Sequence, residues 1–283
     1  MNKILNVKGI NIYASNRLSF FNSPYPAHKQ GKAVDIYSSL SPVDGKVKKI
    51  VKLSGDYLIL IECSENPNVF AKILHIKPSV KVGEKINFGD ELGIFIRSKF
   101  FDPWTDNHLH LELKKKEDPV RARGGHSLIN FRKIRTPPGK IELDVRIESI
   151  SNNYITASLS KKYFTKIGKF YGLKYKDSII CDGKSQRDFP SILGKAKDFS
   201  VIICGGLPHY GFGGMLNHGF RIFENTSMDL ILGDKKIKGI SLYLYLSNPG
   251  TIKLLHDKNT KITQSADALI TNLTKSSASA PTT

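Results

Sequence analysis

The segment "HLHLEL" at residues 108–113 sets two imidazoles two residues apart in a stretch that reads as a β-strand. A strand turns successive side chains to opposite faces, so His108, His110 and Glu112 share one face and Leu109, Leu111 and Leu113 the other. The leucine face is expected to be buried, and the histidine face to hold something. At a rise of about 3.3 Å per residue the two rings start roughly 7 Å apart, too far to approach one ion equally. The expected division is one ligand and one partner, the partner handling a proton or a developing charge.

Three other stretches belong beside it. "HKQGKAVDIY" carries His28 and Asp35, "SPVDGKV" spans 41–47, and "AKILHIKPSVKVGEKINFGDELGIF" carries His75. A zinc site for hydrolysis needs three protein ligands and one open position for water. Two neutral imidazoles and one carboxylate make such a set. They leave the ion positive enough to bring bound water to a pKa of about 7.

These parts together resemble the lysostaphin-type zinc endopeptidases, the peptidoglycan endopeptidases of the duplicated-hybrid-motif kind, over residues 25–113. The resemblance runs through an early His and Asp, "SPVDGKV", "LHI" at 74–76, "VKVGEKINFGDELG" at 80–93 and "HLHLE" at 108–112. It implies that His28, Asp35 and His110 ligate Zn2+. It also implies that His75 and His108 flank the attacked carbonyl, as general base or as stabilisers of the tetrahedral intermediate. The implied substrate is a peptide or peptide cross-link, of cell-wall type or containing glycine, and the implied fold is a small antiparallel β-sheet with an open groove. Two departures stand out. Six residues separate His28 from Asp35 where the common form has three, and "IFIRSKFFDPWTDN" at 94–107 replaces a turn rich in glycine and serine. Phe100, Phe101 and Trp104 in that stretch either line the groove or close it. The glucose-permease phosphocarrier domain shares the "SPVDGKV" and "LHIKPSVKVGEKINFGDELG" patterns, but it lacks the H-L-H strand and the early His–Asp pair. A non-catalytic binding module on the same fold is the remaining alternative.

The elements that must position these residues read as all-β. Residues 1–113 are short strands joined by Gly, Pro, Asn and Asp turns, with no long amphipathic helix. A basic connector follows, with a short helix expected around Ser127 to Arg132 and Pro137-Pro138 closing it. From "KIELDVRIESI" onward a second β-rich region, a sandwich or barrel, is expected. The expected division is a metallopeptidase domain with connector at 1–135, an accessory domain at 136–262 and a disordered tail at 263–283, whose small polar residues bury too little to order themselves.

The net charge is +18, but the lysines are scattered. A solvated basic surface explains this more simply than nucleic acid, which is not expected as a partner; an anionic polymer docking on the connector is the weaker alternative. Cys63, Cys181 and Cys204 are too few and too spread for a disulfide framework or a paired metal site. Lys8 interrupts the apolar N-terminus, so neither a signal peptide nor a membrane span is read there, and a cytoplasmic protein is the default expectation, with non-classical export the alternative. His126, His209, His218 and His256 have no neighbour at ligand spacing and are expected to be structural or surface residues. The glycine-rich "GGLPHYGFGGMLNHGF" has no phosphate-loop pattern and reads as a loop.

Overall fold

The alternating sequence yields an all-β chain, and residues 1–23, 25–121, 124–134, 143, 145–175, 178–184, 191–194, 220–223, 230–232 and 235–256 are described by a computed structural model. In chain order the first half comprises β1 (Asn2–Val7), β2 (Ile10–Ala14), β3 (Arg17–Ser19), the one-turn helix α1 (Pro26–Lys29), β4 (Ala33–Ile36), β5 (Gly45–Leu53), β6 (Asp56–Cys63), β7 (Val69–Leu74), β8 (Ile76–Pro78), β9 (Lys85–Ile86), β10 (Gly93–Phe95) and β11 (Leu109–Lys115). Their main sheet is antiparallel and runs β3–β4–β11–β7–β6–β5–β9. β1 pairs with β2, and β8 with β10.

Period-two patterning assigns the two faces. Val34, Ile36, Leu109, Leu111, Leu113, Ile59, Ile61, Ala71 and Ile73 form the core on one face, joined by Ile4, Ile10 and Ile12 of the β1–β2 hairpin. The opposite face carries Asp35, His110, Glu112, Lys114, Leu74, Lys72 and Leu58, and these too are buried. The histidine face of β11 is therefore an interior surface. Glycine permits the close approaches that the fold needs. A Cβ on Gly45 would run into the Glu62 carbonyl, and one on Gly93, at φ +144°, into the Lys77 carbonyl.

The second half adds β12 (Phe131–Ile134), β13 (Val145–Ile150), β14 (Tyr154–Leu159), β15 (Phe164–Ile167), β16 (Phe170–Tyr175), β17 (Ser178–Lys184), β18 (Ser191–Gly194), β19 (Phe220–Phe223), β20 (Leu230–Leu232), β21 (Lys235–Ile237), β22 (Gly239–Leu242), β23 (Leu244–Tyr245) and β24 (Thr251–Leu255). Among the described residues no sheet closes on itself, so the barrel alternative does not hold there. The helix expected around Ser127 to Arg132 is absent; Phe131–Ile134 is a strand pairing in parallel with β19. The tail at 263–283 and nearly all of the glycine-rich 205–220 stretch lie outside the described residues, as do Pro137-Pro138, His209, His218 and Cys204. The halves are joined by hydrogen bonding: β23 pairs with β3 through Leu244–Leu18 and Tyr245–Arg17.

Among the described residues no helix is long and apolar enough to cross a membrane. Cys63 is free and buried, and burial pushes its thiol up to about 12, which keeps it an inert core residue. His256 is held by the Ser151 carbonyl at 3.0 Å, a structural role.

Candidate metal centre

Three elements deliver the candidate ligands. Pro26 starts α1, where its missing N–H is not needed and its φ is already helical. The single turn carries His28 inward, and Gly31, at φ +65°, reverses the chain into β4. The six residues between His28 and Asp35 are absorbed by this helix and turn. Asp35 on β4 lies directly opposite His110 on β11. The ligating atoms converge: His28 Nε2 is 3.0 Å from Asp35 Oδ1 and 3.1 Å from His110 Nδ1, and His110 Nδ1 is 3.0 Å from the same Asp35 oxygen. All three residues are buried, and together they could hold a metal ion.

The outer partners of the imidazoles decide what they present inward. His28 donates from Nδ1 to the Phe20 carbonyl at 2.6 Å. His108 donates from Nδ1 to the Asp106 carbonyl at 2.9 Å. His75 donates from Nδ1 to Asp56 Oδ2 at 2.6 Å, and His110 reaches Glu112 Oε1 from Nε2 at 3.4 Å. These partners assign the tautomers. In the neutral form each ring then turns a bare nitrogen lone pair away from its outer partner. The lone pairs of His28, His108 and His110 all face Asp35 Oδ1, that of His108 at 3.4 Å.

Acceptors crowded on a buried carboxylate demand a cation. A proton can fill that role. Burial pulls His110 down, but its hydrogen bonds to Asp35 and Glu112 outweigh this and lift it to about 9. Burial likewise pushes Asp35 up, yet His108, His28 and His110 hold it well below the usual carboxylate range. His108 moves the other way, to about 4, because burial and the neighbouring His75 and His110 exceed the attraction of Asp35. The donor set also fits a divalent ion. Ligands at roughly 2.0–2.1 Å on a tetrahedral zinc stand about 3.3–3.4 Å apart, so the three atoms need to separate only slightly.

Behind His110 lies a buried charge chain. Glu112 accepts from Lys72 Nζ at 2.8 Å, and Lys114 Nζ stands 3.5 Å from its other oxygen. Burial pushes Glu112 up, but His110 and Lys72 bring it down to about 2, so it stays ionised and orients the ring. Lys114, the first of the connector's basic residues, is fully buried here and is not part of a surface for an anionic polymer.

Around the centre a cavity of about 440 Å³ opens, lined by Asp35, His75, His108 and His110 among others. Phe100 and Phe101 line it, whereas the Trp104 carbonyl faces Lys253 Nζ at 2.6 Å. Phe101 stacks on His108 with centroids 4.4 Å apart and meets His75 edge-on at 4.6 Å. The segment bearing it is stapled: Arg97 donates to the carbonyls of Asp102, Pro103 and Thr105, and Lys99 Nζ to Ser54 Oγ at 2.9 Å.

The structure brings all five sequence-derived residues together: Asp35, His75, His108 and His110 line the cavity, and His28 stands fully buried against Asp35 and His110. Sequence reasoning missed Asp56, Ser98, Lys72 and Lys253. Asp56 carried a legible signal, an acidic residue opening the apolar strand "DYLILIEC". The others are long-range partners with none.

Residues 6–130 match the family described as "Domain of unknown function (DUF8155) N-terminal domain". The matched span contains every residue of the centre and stops just before β12. No curated protein matches the chain.

Proposed function

We propose that the chain is a zinc-dependent endopeptidase that hydrolyses a peptide bond in the cavity over β4 and β11. The observation that carries this reading is the convergence of His28, His110 and His108 ring nitrogens on Asp35 Oδ1, each ring held by an outer acceptor, beside an open cavity that His75 also lines. The resemblance of the His28–Asp35, His75 and "HLHLE" pattern to lysostaphin-type peptidases supports the choice of reaction.

His28, Asp35 and His110 would hold the ion. Bound zinc supplies Lewis acidity, bringing water to a pKa of about 7 and polarising the amide carbonyl. His75 takes the proton from the attacking water at Nε2, and Asp56 at its Nδ1 stabilises the imidazolium so formed. The same Nε2–H then protonates the departing amine, which balances the hydrolysis. His108, neutral and aligned by the Asp106 carbonyl, offers a second acceptor on the cavity side. Phe101 packs against both rings and shields one side of each from bulk solvent. A phosphocarrier role suits the site poorly, because Asp35 and Asp56 beside the imidazoles would repel a phosphoryl group.

The test is zinc content by elemental analysis after chelator treatment and zinc add-back, wild type beside His110→Ala, followed by mass spectrometry of a peptide mixture. About one zinc per wild-type chain, none in the variant, and zinc-dependent cleavage support the reading. A wild type that takes up no zinc overturns it, and zinc without cleavage leaves a binding module.

A further inference from the structure

The β-sheet register places an apolar surface beside the metal centre. Asp35 pairs with His110, His110 with Leu74, and Leu74 with Leu58, so these four side chains form one row across β4, β11, β7 and β6. At a strand spacing of about 4.8 Å, Leu74 stands one strand and Leu58 two strands from His110. That is about the reach of a substrate side chain next to the bond being cut. Leu58 and Leu74 belong to a separate apolar cluster with Leu60 and Phe70, to which half-buried Leu53 packs. Leu53, Leu58, Leu74, Phe100, Phe101 and Val120 line the same cavity as the histidines. Phe100 is 64% and Val120 44% exposed, so the apolar floor continues to an apolar rim.

We infer that this end of the cavity is a specificity subsite for a large aliphatic or aromatic side chain adjoining the scissile amide. The inference rests on the peptidase reading and departs from its glycine-type substrate. A glycine there would leave the exposed Phe100 and Val120 side chains in water above the already buried Leu58–Leu74 floor, whereas a leucine or phenylalanine side chain packs on that floor and removes its own surface and that of the rim from water. The wall is built to keep its shape: Lys99 ties the Phe100 segment to Ser54, and Ser98 donates to Asp56 at 2.8 Å. A preorganised wall selects by fit rather than by ordering on arrival.

The experiment uses the full chain and three blocked tetrapeptide amides that differ at one position, Gly, Leu or Phe. Binding to the metal-free protein is measured by calorimetry, and cleavage is measured separately with zinc. The expected result is binding of the Leu and Phe peptides about tenfold to a hundredfold tighter than Gly. That preference should shrink in exposed-site Phe100→Ser and in Leu74→Ala. Equal binding of the three peptides, no binding of any, or a preference untouched by both variants overturns the subsite. Side-chain-selective binding without zinc-dependent cleavage sustains the subsite and sinks the peptidase reading instead.

Discussion

Asp56 holds His75 by two bonds: its Oδ1 accepts the His75 backbone N–H at 2.9 Å and its Oδ2 accepts Nδ1–H at 2.6 Å. His75 has φ +72°, a left-handed conformation that costs a non-glycine residue about 1–3 kcal/mol where the surroundings do not impose it. One carboxylate therefore fixes the backbone, the ring orientation and the tautomer together. Under the proposed mechanism, Asp56→Asn removes the charge that would stabilise a His75 imidazolium while leaving the proposed ligands untouched. Turnover should fall by about 10²–10⁴-fold with zinc content unchanged. Parallel kinetics and elemental analysis check this; loss of zinc in the variant would place Asp56 in metal binding instead.

The proposed ligands and the proposed proton-handling residues should separate by substitution. His28→Ala and His110→Ala should lose zinc and activity together, whereas His108→Ala should keep zinc and lose activity. Zinc added to the stripped wild type should raise the melting temperature, since an ion at about 100 times its Kd contributes roughly 2.7 kcal/mol. Thermal scans with and without zinc on the four proteins decide it, and an equal rise in His110→Ala would remove that residue from the ligand set.

Glu112 is the counter-charge of two buried lysines. Glu112→Gln leaves Lys72 and Lys114 without it, a change expected to destabilise by about 3–5 kcal/mol. Adding Lys72→Met should recover part of the loss. Urea unfolding of the single and double variants measures both, and a near-neutral single variant would show that water reaches the pair.

Asp106 links the halves: it lies 2.5 Å from Lys253 Nζ and 2.9 Å from an Arg17 guanidinium nitrogen. Burial pushes its carboxyl up, but Lys253 and Arg17 outweigh this and hold it below its ordinary value. A carboxyl with a depressed folded pKa stabilises above its unfolded pKa of about 3.9 and loses that contribution as pH falls through the folded value. Asp106→Asn should therefore melt lower than wild type at pH 7, and the gap should narrow as pH drops below about 4. Melting temperatures across that range provide the check, and a gap that stays constant with pH would mean the carboxylate charge is not what joins the halves.

The sequence by itself determined the element type and which side chains share a face. Alternation in "HLHLEL" put His108, His110 and Glu112 together, because the period of two is a local property of extended backbone. It did not show that Glu112 is buried, where it pairs with Lys72 and approaches His110 Nε2 at 3.4 Å. It placed Phe100 and Phe101 at the groove but also Trp104, whose backbone instead serves Lys253. It gave a helix at Ser127 to Arg132, where the chain runs irregularly into the strand Phe131–Ile134, whose partner is the distant β19.

Only the tertiary structure decided who stands beside whom. Periodicity fixes a face but not the neighbouring strand or its register, which depend on contacts far apart in the chain. Asp35 meets His110 across 75 residues, and Lys253 meets Asp106 across 147. The row Asp35–His110–Leu74–Leu58, which joins the candidate metal centre to the apolar end of the cavity, exists only because four strands pair in one register.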